Sequence, residues 1–167
     1  MNSSQAIADY AQPLQLTGMK VLPEHIDANG HMNVGYYNVI FDQALDRLFV
    51  PFDLDWAYVK RTNLSTFVLE THVCYLREVV EGDPLRFQFQ LLGYDAKRLH
   101  YFIEMHHATE NYLSATSEQV LLHVDLATRR AASFLPEHQA LFARIWAGHA
   151  RLPKPEQAGR SIGLTRK

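Results

Sequence analysis

The apolar residues of this chain change their spacing near residue 50, from threes and fours to twos, and that change restricts the fold more than any other feature of the sequence. From Val34 onward Tyr37, Ile40, Phe41, Ala44, Leu45, Leu48 and Phe49 recur at threes and fours, while Asn38, Asp42, Asp46 and Arg47 fall elsewhere. Such spacing predicts an amphipathic helix of about four turns with one buried stripe. Pro51 ends it, because a ring nitrogen has no hydrogen to donate to the preceding turn. After a mixed stretch with Trp56 and Tyr58, the period becomes two. Thr66 to Val80 sets Phe67, Leu69, Thr71, Val73 and Tyr75 against Glu70, His72, Cys74 and Leu76. Leu85, Phe87, Phe89 and Leu91 alternate with Arg86, Gln88 and Gln90; Leu99, Tyr101, Ile103 and Met105 alternate with His100, Glu104 and His106. A last strand runs through Val120, Leu122, Val124 and Leu126, and a short first one lies within Leu14 to Leu22.

The turns between these runs, Glu81 to Pro84 and Asp95 to Lys97, are too short for helical crossovers, so the sheet is expected to be antiparallel. One long helix must then cover one face of that sheet, an α+β arrangement. Pro136 to Gly148 predicts a second helix, with proline in a tolerated first-turn position. Of the 167 residues, 14–150 are expected to form one domain, with 1–13 an N-terminal extension and 151–167 a flexible, locally basic tail.

A formal net charge of −2 and a pI near 6.5 give no electrostatic reason to expect a nucleic-acid partner or an anionic membrane surface. No segment approaches the roughly 18 apolar residues of a membrane span, and the start lacks a signal-peptide pattern. The lone cysteine, Cys74, sits in an alternating strand run, where a small buried thiol is the default. These features lead to the expectation of a cytoplasmic protein without membrane attachment.

The chemistry-bearing residues crowd just ahead of the helix, in HIDANGHMNVGYY (residues 25–37). Asn33 is placed to cap the first turn and Gly30 suits a turn needing positive φ; neither needs a catalytic explanation. Asp27, Asn29 and His31 stand two apart, and in an extended approach their side chains project together. The start of a helix offers free N–H groups and partial positive charge, which favour a developing oxyanion. A carboxylate beside such a site suits hydrolysis, with Asp27 activating water or attacking a carbonyl directly. An Asx turn before a helix explains the same residues without catalysis.

The run DANGHMNVGYY, followed by an amphipathic helix and by antiparallel strands carrying LREVVEGDPL, resembles the hot-dog-fold acyl-CoA thioesterases of the 4-hydroxybenzoyl-CoA thioesterase type over roughly Leu14 to Phe134. The resemblance implies a curved antiparallel sheet wrapped around a long helix. It also implies an acyl-CoA substrate, no cofactor, and a homodimer or dimer of dimers with active sites at the subunit interface. Carried onto this chain it makes Asp27 the catalytic carboxylate, Gly30 the turn glycine, and a backbone N–H of Asn33 or Val34 the oxyanion donor. A similarity to plant acyl-carrier-protein thioesterases implies polar roles for Asn29 and His31. Glu70 lies in the strand whose family counterpart approaches the partner's site, and His72 shares its face, so either is a candidate to help place water. Both also read as an exposed strand face. A narrower similarity, in PEHIDANGHMN and ETHVCYLRE, is to the thioesterase units of carnitine breakdown that act on betainyl-CoA. A trimethylammonium acyl group would favour aromatic faces or a carboxylate; Tyr36, Tyr37, Trp56 and Tyr58 are candidates to supply the faces, although core packing accounts for such residues equally well.

Two other readings share the fold. A hot-dog enoyl-CoA hydratase typically carries D-x-N-P-x-H, but here glycine replaces the proline and His31 comes one residue early. A non-catalytic acyl-CoA-binding protein would need the pocket without the aimed carboxylate. A metal site from His25, Asp27 and His31 lacks a recognised ligand spacing, so none is expected.

Overall fold

The computed structural model describes residues 10–164. Five strands pair in the order β1-β3-β4-β5-β2, all antiparallel: β1 Leu14–Lys20, β2 Leu64–Tyr75, β3 Pro84–Tyr94, β4 Arg98–His107 and β5 Leu113–Asp125. A two-residue β6, Arg130–Ala131, adds to β5. Helix α1, Val34–Phe49, crosses the inner face; α2 is Trp56–Thr62 and α3 is Pro136–His149. This is the expected curved sheet with a long helix against it.

The buried stripe of α1 is the one its spacing predicts: Tyr37, Ile40, Phe41, Ala44, Leu45, Leu48 and Phe49 are all buried. It meets a sheet face whose side chains are fixed by register. Leu85, Phe87, Phe89 and Leu91 of β3 pair with His107, Met105, Ile103 and Tyr101 of β4. Phe41 packs edge-on against Phe87 with ring centres 6.1 Å apart, and Phe49 meets Tyr101 at 6.2 Å. Burying rings of this size contributes about 2–3 kcal/mol each.

Two strand expectations need correction. The strand predicted from Thr66 to Val80 runs instead from Leu64 to Tyr75. A bulge at Leu69, between the pairs Val68↔Leu121 and Glu70↔Val120, breaks its alternation. Past Tyr75 the Leu76 and Arg77 amides both donate to the Ser114 carbonyl, at 2.9 and 3.0 Å, which ends the regular ladder, and Asp83 closes the following turn by accepting the Val80 amide at 2.9 Å. The last strand begins at Leu113, not near Val120, and its inner face is partly polar. Ala115, Ser117, Gln119 and Leu121 oppose Met105, Ile103, Tyr101 and Leu99. The Tyr101 hydroxyl donates to Gln119 Oε1 at 2.7 Å and Gln119 Nε2 donates to Ser117 Oγ at 2.9 Å, so these buried polar groups satisfy one another. The mixed stretch after Pro51 holds the short α2, whose Asp55 cap accepts the Tyr58 amide at 3.0 Å.

At the C-terminal side, α3 is tied to β3 where His149 Nδ1 accepts the Leu91 amide at 2.9 Å. The chain then turns back over the outer face of the sheet. Gln90 Nε2 donates to the Pro153 carbonyl at 3.3 Å, and the Gly159 amide donates to Glu118 Oε2 at 2.6 Å. No helix among the described residues is long and apolar enough to cross a membrane.

Candidate active site

The segment before α1 is a closed loop, not the extended approach its alternation suggests. Ile26 and Met32 form an isolated antiparallel bridge, the Asn33 amide donates to the His25 carbonyl at 2.9 Å, and the Asp27 amide donates to the His31 carbonyl at 3.1 Å. Inside that frame the chain reverses through Gly30, whose φ of +82° is one that L side chains rarely adopt. Asp27, Asn29 and His31 therefore do not share a direction by strand alternation. Asp27 Oδ1 instead accepts the Asn29 amide at 2.8 Å, an Asx turn that fixes the carboxylate, while His31 Nδ1 lies 3.2 Å from the Met32 carbonyl. Asn29 is exposed and His31 half-buried.

The start of α1 separates the two oxyanion-donor candidates. Asn33 Oδ1 caps the Gly35 amide at 2.9 Å, and the Tyr36 amide donates to the Asn33 carbonyl at 3.0 Å. The Asn33 amide is engaged by His25, so it is not a free donor. Val34 contributes the remaining first-turn amide, which has no acceptor among the described residues. A free N–H at the positive end of a 16-residue helix suits an oxyanion. Met32 anchors the loop to the body by donating its amide to the Val79 carbonyl at 2.9 Å.

Aromatic rings flank this helix start. His25 and Tyr36 lie face to face at a tilt, with centres 4.9 Å apart, and Tyr37 meets Tyr75 edge-on at 5.0 Å. Burial pushes the Tyr37 hydroxyl's pKa up, offset in part by Ser114 and the Val79 backbone beside it. Tyr75 and Ser114 were not singled out by sequence, because alternation marks a strand face and not which strand end meets the helix.

Other candidates sit elsewhere in the single chain. The 69% exposed Trp56 opens α2. That helix is held to the far end of β5, where the Tyr58 hydroxyl meets His123 Nε2 at 2.8 Å. Ser114 beside Tyr37 and His123 beside Tyr58 are nine residues apart on β5, about 30 Å along a strand. Glu70 and His72 pair with Val120 and Glu118, whose side chains point to the outer face, away from α1. His72 there lines a cavity of about 760 Å³ with Cys74, Tyr75, Leu76 and residues 156–163. Among the described residues no three His, Cys, Asp or Glu side chains gather as metal ligands would.

Residues 21–142 match the model of the thioesterase-like superfamily. This chain belongs to that superfamily. The thioesterase-like domain spans the Asp27 loop, α1 and all the strands from β2 to β6. The chain is 38% identical over 161 residues to the betainyl-CoA thioesterase of Pseudomonas aeruginosa, covering 96% of this chain and 97% of that protein. It is also 37% identical over 158 residues to the L-carnitine dehydrogenase/betainyl-CoA thioesterase of Rhizobium meliloti, spanning 95% of this chain but only 32% of that longer protein. Among solved structures, a Staphylococcus aureus protein in complex with CoA superposes with a TM-score of 0.84 at 28% identity, covering 92% of this chain and 96% of that one. A putative thioesterase from Pseudomonas putida gives 0.73 at 32% identity, with 93% and 97% covered. The hot-dog fold is thus shared with thioesterases, and no match among these supports the hydratase reading.

Proposed function

We propose that this thioesterase-like chain hydrolyses the thioester of a small acyl-CoA, betainyl-CoA foremost, to the free acid and CoA. The observation that carries the reading is the Val34 amide at the start of α1, without an acceptor among the described residues, just past the loop that the Ile26–Met32 bridge closes and that carries Asp27. The N–H and the helix dipole stabilise the tetrahedral oxyanion, and Asp27, whose second oxygen remains outside the Asx turn, takes a proton from the attacking water. Gly30 permits the reversal that aims the carboxylate, and Asn33 keeps the first turn capped. Asn29 and His31 line the same loop as polar neighbours of the thioester.

The betainyl group is favoured by the relatives' names and by the aromatic rings at the helix start. A trimethylammonium cation is attracted by ring faces within about 6 Å, and Tyr36, Tyr37 and Tyr75 offer them. Trp56 joins them in a dimer. Strand β2 is an edge of the sheet and exposes Phe67, Val68 and Leu69, an apolar unpaired edge of the kind that proteins cover. Antiparallel β2–β2 pairing in a homodimer places the Leu64 end of one protomer beside the Tyr75 end of the other. That brings Trp56 of the partner subunit toward the Asp27 loop, with Glu70 near the middle of the interface. A dimer of dimers would build on this unit, and the cytoplasm supplies CoA substrates.

Thiol release from a panel of acyl-CoAs that includes betainyl-CoA tests the reading. Asp27→Asn keeps the oxygen that accepts the Asn29 amide, so turnover should fall by about 10²–10⁴-fold while acyl-CoA binding persists. Binding without thiol release from any panel member would replace the enzyme with an acyl-CoA-binding protein.

A further inference from the structure

The cavity on the outer face of the sheet has no part in the proposed hydrolysis, yet it is a built site. Its floor is the end of β2, with His72, Cys74, Tyr75 and Leu76, and its wall is the segment 156–163. That wall is held at Pro153, just ahead of it, and at Gly159, within it. The Pro153 carbonyl accepts from Gln90 Nε2, and the Gly159 amide reaches Glu118, whose other carboxylate oxygen takes a hydrogen bond from His100 Nε2 at 2.7 Å. Within it, Ala158 donates to the Pro155 carbonyl and Arg160 to the Gln157 carbonyl, a compact double turn. Residues 151–164 carry three cations, Arg151, Lys154 and Arg160, against one anion, Glu156. A volume of about 760 Å³ lies in the range of small-molecule sites, roughly 300–1,000 Å³.

The position of Tyr75 links this cavity to the candidate active site. Tyr75 lines the cavity and also meets Tyr37 at 5.0 Å. Tyr37 stands three residues after Val34, in the first turn of α1. A ligand seated against residues 156–163 can therefore extend a flexible arm past the end of β2 to the Val34 amide. We infer that the C-terminal segment holds the phosphoadenosine part of the CoA substrate, with Arg160 as the phosphate-binding cation, and that the pantetheine arm passes Tyr75 to the thioester site. The inference rests on the thioesterase reading for the identity of the ligand. Arg guanidinium suits a phosphate because its N–H fork meets two oxygens at once.

Cys74, the single cysteine of the chain, reports on the cavity without any turnover. Desulfo-CoA, which lacks the thiol, should slow alkylation of Cys74 by iodoacetamide at least fivefold in the full-length protein. An unchanged rate at millimolar desulfo-CoA, or a Cys74 that does not react even without it, overturns the assignment. The second arm is kinetic. Arg160→Ala should lower the ratio of kcat/KM for the acyl-CoA to that for the matching N-acetylcysteamine thioester about tenfold, the loss of one charge-assisted contact. A ratio that holds within twofold overturns the role of Arg160. Protection of Cys74 with no thiol release would fail the hydrolytic reading and keep the site; hydrolysis with neither protection nor a shifted ratio would do the reverse.

Discussion

The Asn33 amide donates to the His25 carbonyl at 2.9 Å, and this one bond decides which amide of the helix start is free to bind an oxyanion. It closes the loop from His25 to Asn33 and leaves Val34 as the first donor of α1 without an acceptor. Asn33 itself has φ −62° and ψ 143°, an extended conformation that a following proline tolerates. Val34 occupies the first helical position, where proline is at home. Val34→Pro therefore deletes one N–H while leaving the cap and the fold in place. We expect kcat for thiol release to fall about 10²–10³-fold, with the thermal midpoint shifting little. A variant that folds normally and keeps full kcat would move the oxyanion site away from α1.

The fold was readable because two periods, 3.6 and 2, are written in consecutive stretches, and because turns such as Glu81–Pro84 leave no room for crossovers. The bulge at Leu69 was not, since one extra residue changes no residue type and only the partner strand reveals it. The inner face of β5 was hidden for a related reason: Ser117, Gln119 and His123 are polar residues turned inward, and Gln119 and His123 find partners far away in sequence, Tyr101 and Tyr58. At the proposed site, residue types point to Asp27 and the helix start, and backbone bonding leaves only Val34 of the two candidate amides without an acceptor among the described residues. The same bonding replaced an extended approach with a turn. The C-terminal segment looked like a solvated tail because its anchors, Glu118 and Gln90, lie in strands far away in sequence.

The exposed edge of β2 gives a second test. Val68 is 51% exposed on a strand that has no neighbour on one side among the described residues. Val68→Asp places a charge in the middle of the proposed β2–β2 junction at little cost to the isolated protomer. Sedimentation should show the wild-type dimer replaced by a monomer, and thiol release should fall with it if Trp56 of the partner subunit completes the site. A variant that stays dimeric locates the interface elsewhere.

Gly148 sits in the last turn of α3 because another piece of backbone occupies the space where a side chain would begin. A Cβ at this position would stand 2.1 Å from the Tyr10 carbonyl oxygen and 2.6 Å from its carbon. The obstacle is main chain, so it does not yield by a rotamer change. Gly148→Ala gains helix propensity of about 1 kcal/mol, but forcing the Tyr10 segment off α3 should cost more, for a net loss of about 1–2 kcal/mol. Urea unfolding checks the sign. A stabilised variant would mean that residues near Tyr10 do not pack on α3 in solution.

Two buried histidines, His123 and His149, give the fold an expected sensitivity to acid. His149 is 1% exposed; its Nδ1 accepts the Leu91 amide and its Nε2 donates to the Gln12 carbonyl at 3.1 Å. His123 is fully buried; its Nδ1 donates to the Ala132 carbonyl at 3.1 Å and its Nε2 accepts the Tyr58 hydroxyl at 2.8 Å. In each ring one nitrogen serves as an acceptor, so a second proton has no place without breaking a buried bond. Burial accordingly holds both pKa values below the ordinary 6.5, with the Ala132 and Gln12 carbonyls offsetting it in part. Below about pH 6.5 the unfolded chain binds protons that the folded chain refuses, so this contribution is complete above that pH and declines as pH falls toward the folded-state values. Each ring contributes a slope of at most about 1.4 kcal/mol per pH unit. Urea midpoints measured from pH 7.5 to 5.0 should be level at first and then fall. His149→Asn keeps an acceptor for the Leu91 amide but cannot titrate, so it should lower stability at pH 7.5 and flatten the acid slope. A slope equal to that of the wild-type protein would assign the acid sensitivity to other groups.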